Sequence, residues 1–79
     1  MKYDEDKVDE TVLALLHLTS WEEQGFVRAW KGHDWDALNR LHEKGLILNP
    51  KSKAKSLVFT DEGKLKAAQA CEKLFGKTV

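Results

Sequence analysis

The apolar positions along this chain follow two rhythms. Val8, Val12, Leu15 and Leu16 recur at i, i+4, i+7 and i+8, one face of a helix, and predict a helix from about Asp4 to Thr19. Its acidic opening (Asp4, Glu5, Asp6, Asp9, Glu10) suits the positive end of the helix dipole. Ser20 and Glu23 have the S-x-x-E spacing of a capping box, which predicts one further helical turn over Ser20–Gln24, ended by Gly25. Phe26, Val27, Ala29 and Trp30 then change the rhythm to that of a short strand, and Gly32 marks a turn.

The second helical stretch is the most completely punctuated. Asp34 is suited to cap it by accepting from the backbone of Asp36 or Ala37. Trp35, Leu38 and Leu41 would face inward, leaving Asp36, Asn39, Arg40 and Glu43 outward, and Gly45 supplies a left-handed stop onto which Leu46 folds back. Leu46 to Leu48 reads as a strand, Asn49-Pro50 as a turn, residues 51–55 as a loop and Ser56 to Thr60 as the return strand. Thr60 or Asp61 caps a last helix with an apolar stripe of Leu65, Ala68, Cys71, Leu74 and Phe75, stopped at Gly76. The order is helix, short strand, helix, β-hairpin wing and C-terminal helix. It predicts a mainly α, α+β winged helix-turn-helix in a single domain over residues 1–79, because a chain this short buries only about 60 to 65 per cent of its unfolded surface and cannot support two cores.

The runs LNRLHEKGLI and KAKSLVFTDEG resemble the recognition helix, wing and following helix start of bacterial winged-helix regulators of the multiple-antibiotic-resistance type. The matching residues are Lys44, Gly45 and Leu46, then Phe59, Thr60, Asp61, Glu62 and Gly63. Over nearly the whole chain, RAWKGHDWDALNRLHEKGLI with KAKSLVFTDEG is similar to a family of small bacterial proteins classed as a domain of unknown function. That second resemblance implies a bacterial or phage source and a cytoplasmic protein, and brings no activity with it.

Charge changes the picture by its distribution. Thirteen basic and thirteen acidic residues cancel overall. Residues 1–45 carry six Lys or Arg against ten Asp or Glu, hence −4, and residues 46–79 carry seven against three, hence +4. No apolar run approaches the roughly 18 residues of a membrane span, and the start MKYDEDKVDE is acidic where a secretory signal would be basic. With a single cysteine, Cys71, these features lead to the expectation of a cytoplasmic protein.

Two functions of different class fit these residues. In the first, the chain is a winged helix bound to duplex DNA, with Asn39 and Arg40 reading base edges in the groove. Lys51, Lys53 and Lys55, alternating on one side of the wing, would then contact phosphates. The same lysines also suit a solvated loop that protects a sheet edge. In the second, the chain is a protein-interaction module that pairs with itself, as a homodimer, or with a partner protein, with Trp21 or Trp30 at the interface. His17, His33, His42 and Cys71 lack zinc-ligand spacing, so no metal or other cofactor is expected. The absence of a phosphate loop or nucleophile elbow leads to the same expectation for catalysis.

Overall fold

The computed structural model describes residues 1–77. Among them the chain forms α1 (Glu5–Leu18), β1 (Trp21–Glu23), β2 (Phe26–Trp30), α2 (Trp35–Glu43), β3 (Ser56–Val58) and α3 (Asp61–Phe75). The architecture is α+β: helices on one side of a three-stranded antiparallel sheet with the order β1-β2-β3. Among the described residues no helix is long and apolar enough to cross a membrane.

Each helix start is the work of one side chain. Asp4 accepts from the Lys7 amide at 3.2 Å, Asp34 from Ala37 at 3.1 Å and Thr60 from Gly63 at 2.9 Å, so each satisfies one of the orphan N–H groups of a first turn. At the far end of α2 Gly45 has φ +76, with Gly45 N–H bonded to the His42 carbonyl and Leu46 N–H to Leu41. This paired pattern at a left-handed residue is a Schellman stop, and it turns Leu46 and Ile47 into the core.

The expected turn of helix over Ser20–Gln24 is instead a strand. Ser20 donates its hydroxyl to the His17 carbonyl at 2.7 Å and closes α1, so its side chain does not cap a new helix. Trp21–Glu23 pairs with Phe26–Arg28 across Gln24 and Gly25, whose φ values of 51 and 84 are both positive. A two-residue loop with both angles positive matches the twist of its flanking strands, and Gly25 fills its second position at no steric cost. α1 and α2 are therefore joined by a hairpin. Among the described residues no helix leads into α2 through a tight turn, and the helix-turn-helix part of the sequence expectation is not met.

Residues 46–60 double back, with a narrower ladder than a full wing. Ile47 bridges Phe59, Leu48 N–H bonds the Val58 carbonyl at 2.9 Å and Thr60 N–H the Leu46 carbonyl at 3.1 Å. β3 uses its other edge on β2, pairing Arg28 with Val58, Ala29 with Leu57 and Trp30 with Ser56.

The core lies between the inner sheet face and the helices. It joins Val12, Leu13 and Leu16 of α1 to Leu38 and Leu41 of α2, with Ile47, Leu57 and Phe59. Leu16, Leu38, Leu41 and Ile47 are fully buried, each contributing roughly 1.5 to 3 kcal/mol. Three side-chain assignments change. The buried face of α1 runs through Asp9, Val12, Leu13 and Leu16, and Leu15 is only half-buried. Trp35 is half exposed at the start of α2, where Ala37 takes the inward place. On α3 the buried positions are Gly63, Ala67 and Ala70, small residues that bring α3 close to α1, its principal neighbour. Leu65, Leu74 and Phe75 are left exposed.

Candidate nucleic-acid interface

The pleat of β2 decides which side chains this surface presents. Val27 and Ala29 point to the core, so Phe26, Arg28 and Trp30 point away from it. Cross-strand pairing puts Trp21 and Glu23 of β1 on the same outer face, opposite Arg28 and Phe26, with Val58 of β3 on the other side of Arg28. Leu48, which bonds Val58, extends this face and is exposed. Trp21 and Trp30 are diagonal neighbours across the β1–β2 ladder, within reach of each other as aromatic pairs are, and their ring centroids lie 4.7 Å apart at 42°. The Trp21 indole N–H donates to Glu23 at 3.1 Å, and the Arg28 guanidinium donates to the Ser56 hydroxyl at 3.2 Å.

The lysine loop adjoins one end of this face. Pro50 is buried, and Asn49 accepts the Lys51 amide in an Asx turn that fixes the start of the loop. From the end of β2, Lys31 donates its ammonium group to the carbonyl and hydroxyl oxygens of Ser52 at 3.0 and 3.1 Å, and its amide to Lys55. Lys51, Lys53 and Lys55 remain exposed. Among the described residues neither these three nor Arg28 and Lys31 join an ion pair. The structure thus brings together the loop lysines and, through β2 and its neighbours, the two tryptophans expected as interface candidates.

Asn39 and Arg40 lie elsewhere. Asn39 is half-buried on α2, and Arg40 turns onto α1. Its guanidinium holds the two oxygens of Asp9 at 2.8 to 3.0 Å and Glu5 at 3.1 Å, while Lys44, one turn further along α2, reaches Asp9 at 2.9 Å and Asp6 at 3.4 Å. Arg40 is an anchor between α1 and α2, and not the outward-pointing side chain expected of this helix. Asp9 is 2 % exposed. Burial pushes its carboxyl pKa up, but the hydrogen bonds and positive charges of Arg40 and Lys44 outweigh that and hold it below the ordinary value. The same bonds raise the pKa of Arg40 and Lys44 against the opposing effect of burial. The acidic start of α1 is thereby partly neutralised by Arg40 and Lys44, and by Lys73 of α3 on Glu10 at 3.2 Å.

Sequence reasoning passed over Arg28, Lys31 and Phe26 as contributors to the surface. Their signal was the strict alternation of Phe26-Val27-Arg28-Ala29-Trp30, which assigns three large side chains to one side of a strand. Among the described residues no three His, Cys, Asp or Glu side chains are grouped as metal ligands.

Comparison with known proteins places this geometry in a family. The profile of a domain of unknown function, DUF6429, matches residues 4–77, spanning every helix and strand described above. The chain belongs to the DUF6429 family. A relative from Sinorhizobium fredii (strain NBRC 101917 / NGR234), the uncharacterized protein y4hR, is 52 % identical over 75 residues, covering 95 % of this chain and 97 % of the relative. No solved structure matches the chain. For DUF6429 neither the family nor this relative brings a stated activity, so function is argued from the surface itself.

Proposed function

We propose that this DUF6429 protein is a non-catalytic nucleic-acid-binding domain whose contact surface is the lysine loop with the adjoining outer sheet face. The observation that carries the reading is the gathering of Arg28, Lys31, Lys51, Lys53 and Lys55 on β2 and the loop beside it, none in an ion pair among the described residues, next to exposed Trp30 and Phe26. Basic side chains left unpaired keep their charge for phosphates, and aromatic side chains offer stacking surface that lysines alone lack. By the sequence resemblance to winged-helix regulators, α2 would be the counterpart of the recognition helix and the lysine loop with β3 that of the wing. In this reading the wing binds and the helix supports. The engagement of Arg40 with Asp9 argues against α2 as the groove reader.

Binding of a fluorescent 20-nucleotide probe, single-stranded or duplex, tests this by anisotropy. Dissociation constants of about 1 to 100 μM are expected at physiological salt, the range of non-specific binders, and tighter ones at 50 mM. Replacing Lys51, Lys53 and Lys55 together by Ala should weaken binding at least tenfold and flatten the duplex salt slope by about 2.7. Failure of both probes to bind at 200 μM protein ends the reading.

A second reading rests on a different surface. Leu65 is 60 % and Leu18 61 % exposed, and Phe75 is also exposed, leaving an apolar flank on α3 and the end of α1 that suits a second copy of the chain. On this reading the protein is a homodimerising scaffold. Sedimentation equilibrium should then give a dimer that Leu65→Glu dissociates, and a monomer at 200 μM excludes it.

A further inference from the structure

The outer sheet face differs from an ordinary solvated face by its large rings. Trp30 is 58 % and Phe26 52 % exposed, and no helix lies over either. The Trp21 ring is fixed by its indole bond to Glu23 and by contact with Trp30, so the pair forms a preorganised ridge rather than two mobile side chains. At about 4.8 Å between strands and about 3.3 Å per residue, the area from β1 to Leu48 and from Phe26 to Trp30 measures about 14 by 13 Å. That is enough for two or three bases laid flat.

From this we propose that the outer face is a stacking platform for unpaired bases, so that the nucleic acid the protein selects is single-stranded. The proposal rests on the nucleic-acid reading above and narrows it. Duplex DNA offers a protein only base edges, lying in its grooves, because the ring faces are stacked inside. A sheet face that exposes indole and phenyl rings can stack on base faces, which only an unpaired strand makes available. Charge favours this occupant over a protein. Arg28 lies in the middle of the face and Lys31, Lys53 and Lys55 at its end, while Glu23, the carboxylate on the face, is held by the Trp21 indole. A strand laid over the tryptophans would keep its bases on the rings and run its phosphates toward Arg28 and the lysine loop. Four such contacts give a salt slope of about −2.8.

The test uses the full chain, with intrinsic tryptophan fluorescence and probe anisotropy followed together. Oligo-dT of 12 nucleotides and a blunt duplex of 12 base pairs are titrated at 50 mM salt. The platform predicts quenching by oligo-dT and a single-strand affinity at least tenfold above that for duplex. Trp30→Ala should lose at least fivefold in oligo-dT affinity with duplex binding changed less than twofold. Trp30→Phe should keep most of the affinity, since it restores a ring. Trp30 is exposed, and circular dichroism checks that both variants stay folded. Equal or tighter duplex binding, or a Trp30→Ala variant that binds oligo-dT like the parent, overturns the platform and leaves the nucleic-acid reading standing. No binding of either probe overturns both. A Trp30→Ala variant that turns a dimer into a monomer while leaving oligo-dT affinity unchanged assigns the face to a second copy, which also overturns it.

Discussion

Gly63→Ala lowers the melting temperature by more than about 12 °C, although helix propensity alone gives the opposite sign. Gly63 lies in the first turn of α3, where alanine is worth about 1 kcal/mol more than glycine. The backbone of Leu46 passes directly over it. A Cβ at this position would run into the Leu46 carbonyl oxygen and stand 2.6 Å from its carbon. The obstructing atoms cannot swing aside as a side chain would. That carbonyl accepts the Thr60 amide at 3.1 Å, and the Thr60 hydroxyl donates to the Gly45 carbonyl at 2.6 Å while accepting from Gly63. One seam therefore fixes the stop of α2, the cap of α3 and their closest approach. Overpacking costs 1 to 3 kcal/mol where side chains can adjust, and against fixed backbone a net loss of about 3 kcal/mol or more is expected. At 4 to 8 °C per kcal/mol for a domain of this size, thermal melting by circular dichroism resolves it easily. A variant melting at or above the parent would show that α3 does not press on Leu46.

Asp9→Asn is expected to cost about 3 kcal/mol, because removing one partner of a buried ion pair leaves the others' charge uncompensated. Asn keeps the shape and one acceptor oxygen, so cavity formation does not enter. Of the two cations Arg40, with its side chain 23 % exposed, carries more of the loss than Lys44, which at 43 % is better screened by water. The pH dependence has a definite sign. The folded carboxyl has a depressed pKa, below about 3.9 for the unfolded chain, so its stabilisation is fully present above that value. It disappears as pH falls through the folded value. In urea titrations from pH 7 down to 2, the parent should lose stability below about pH 4, and Asp9→Asn should start lower and fall less steeply. A variant with the parent's acid limb would remove Asp9 from the account of acid lability.

Why some of this was readable in advance is clear from individual residues. Asp34, Thr60 and Gly45 act through their nearest chain neighbours, so cap and stop could be named from sequence, and Ala37 is among the partners expected of Asp34. The alternating stretch Phe26–Trp30 was legible as a strand for the same reason, and so was the exposure of the loop lysines. The β1 hairpin was not legible, because Ser20 and Glu23 carry a capping-box pattern and Gln24 is an unusual residue for the first left-handed position of a tight turn. Here tertiary pairing with β2 overrode a local signal. Asp9 belonged to an acidic run that a helix dipole already explained. Its place on the stripe Asp9, Val12, Leu13, Leu16, together with Arg40 and Lys44 four apart on α2, was the signal for a buried carboxylate with two cations. Trp21 and Trp30 were named as candidates for a protein interface, but the diagonal register that brings them together across two strands depends on the unforeseen hairpin.

α1 and α3, near opposite ends of the chain, are each other's principal neighbours, and this bears on biosynthesis. At about 5 to 20 residues per second, the ribosome needs several seconds to add the 57 residues, 18 to 75, between the end of one helix and the end of the other. During that interval the apolar stripe of the first helix has no lasting cover. The hairpin and second helix can form locally as they emerge, while closure of the fold waits for the third helix to leave the exit tunnel. A nascent chain arrested before then would keep the α3-facing leucines of the first helix in water.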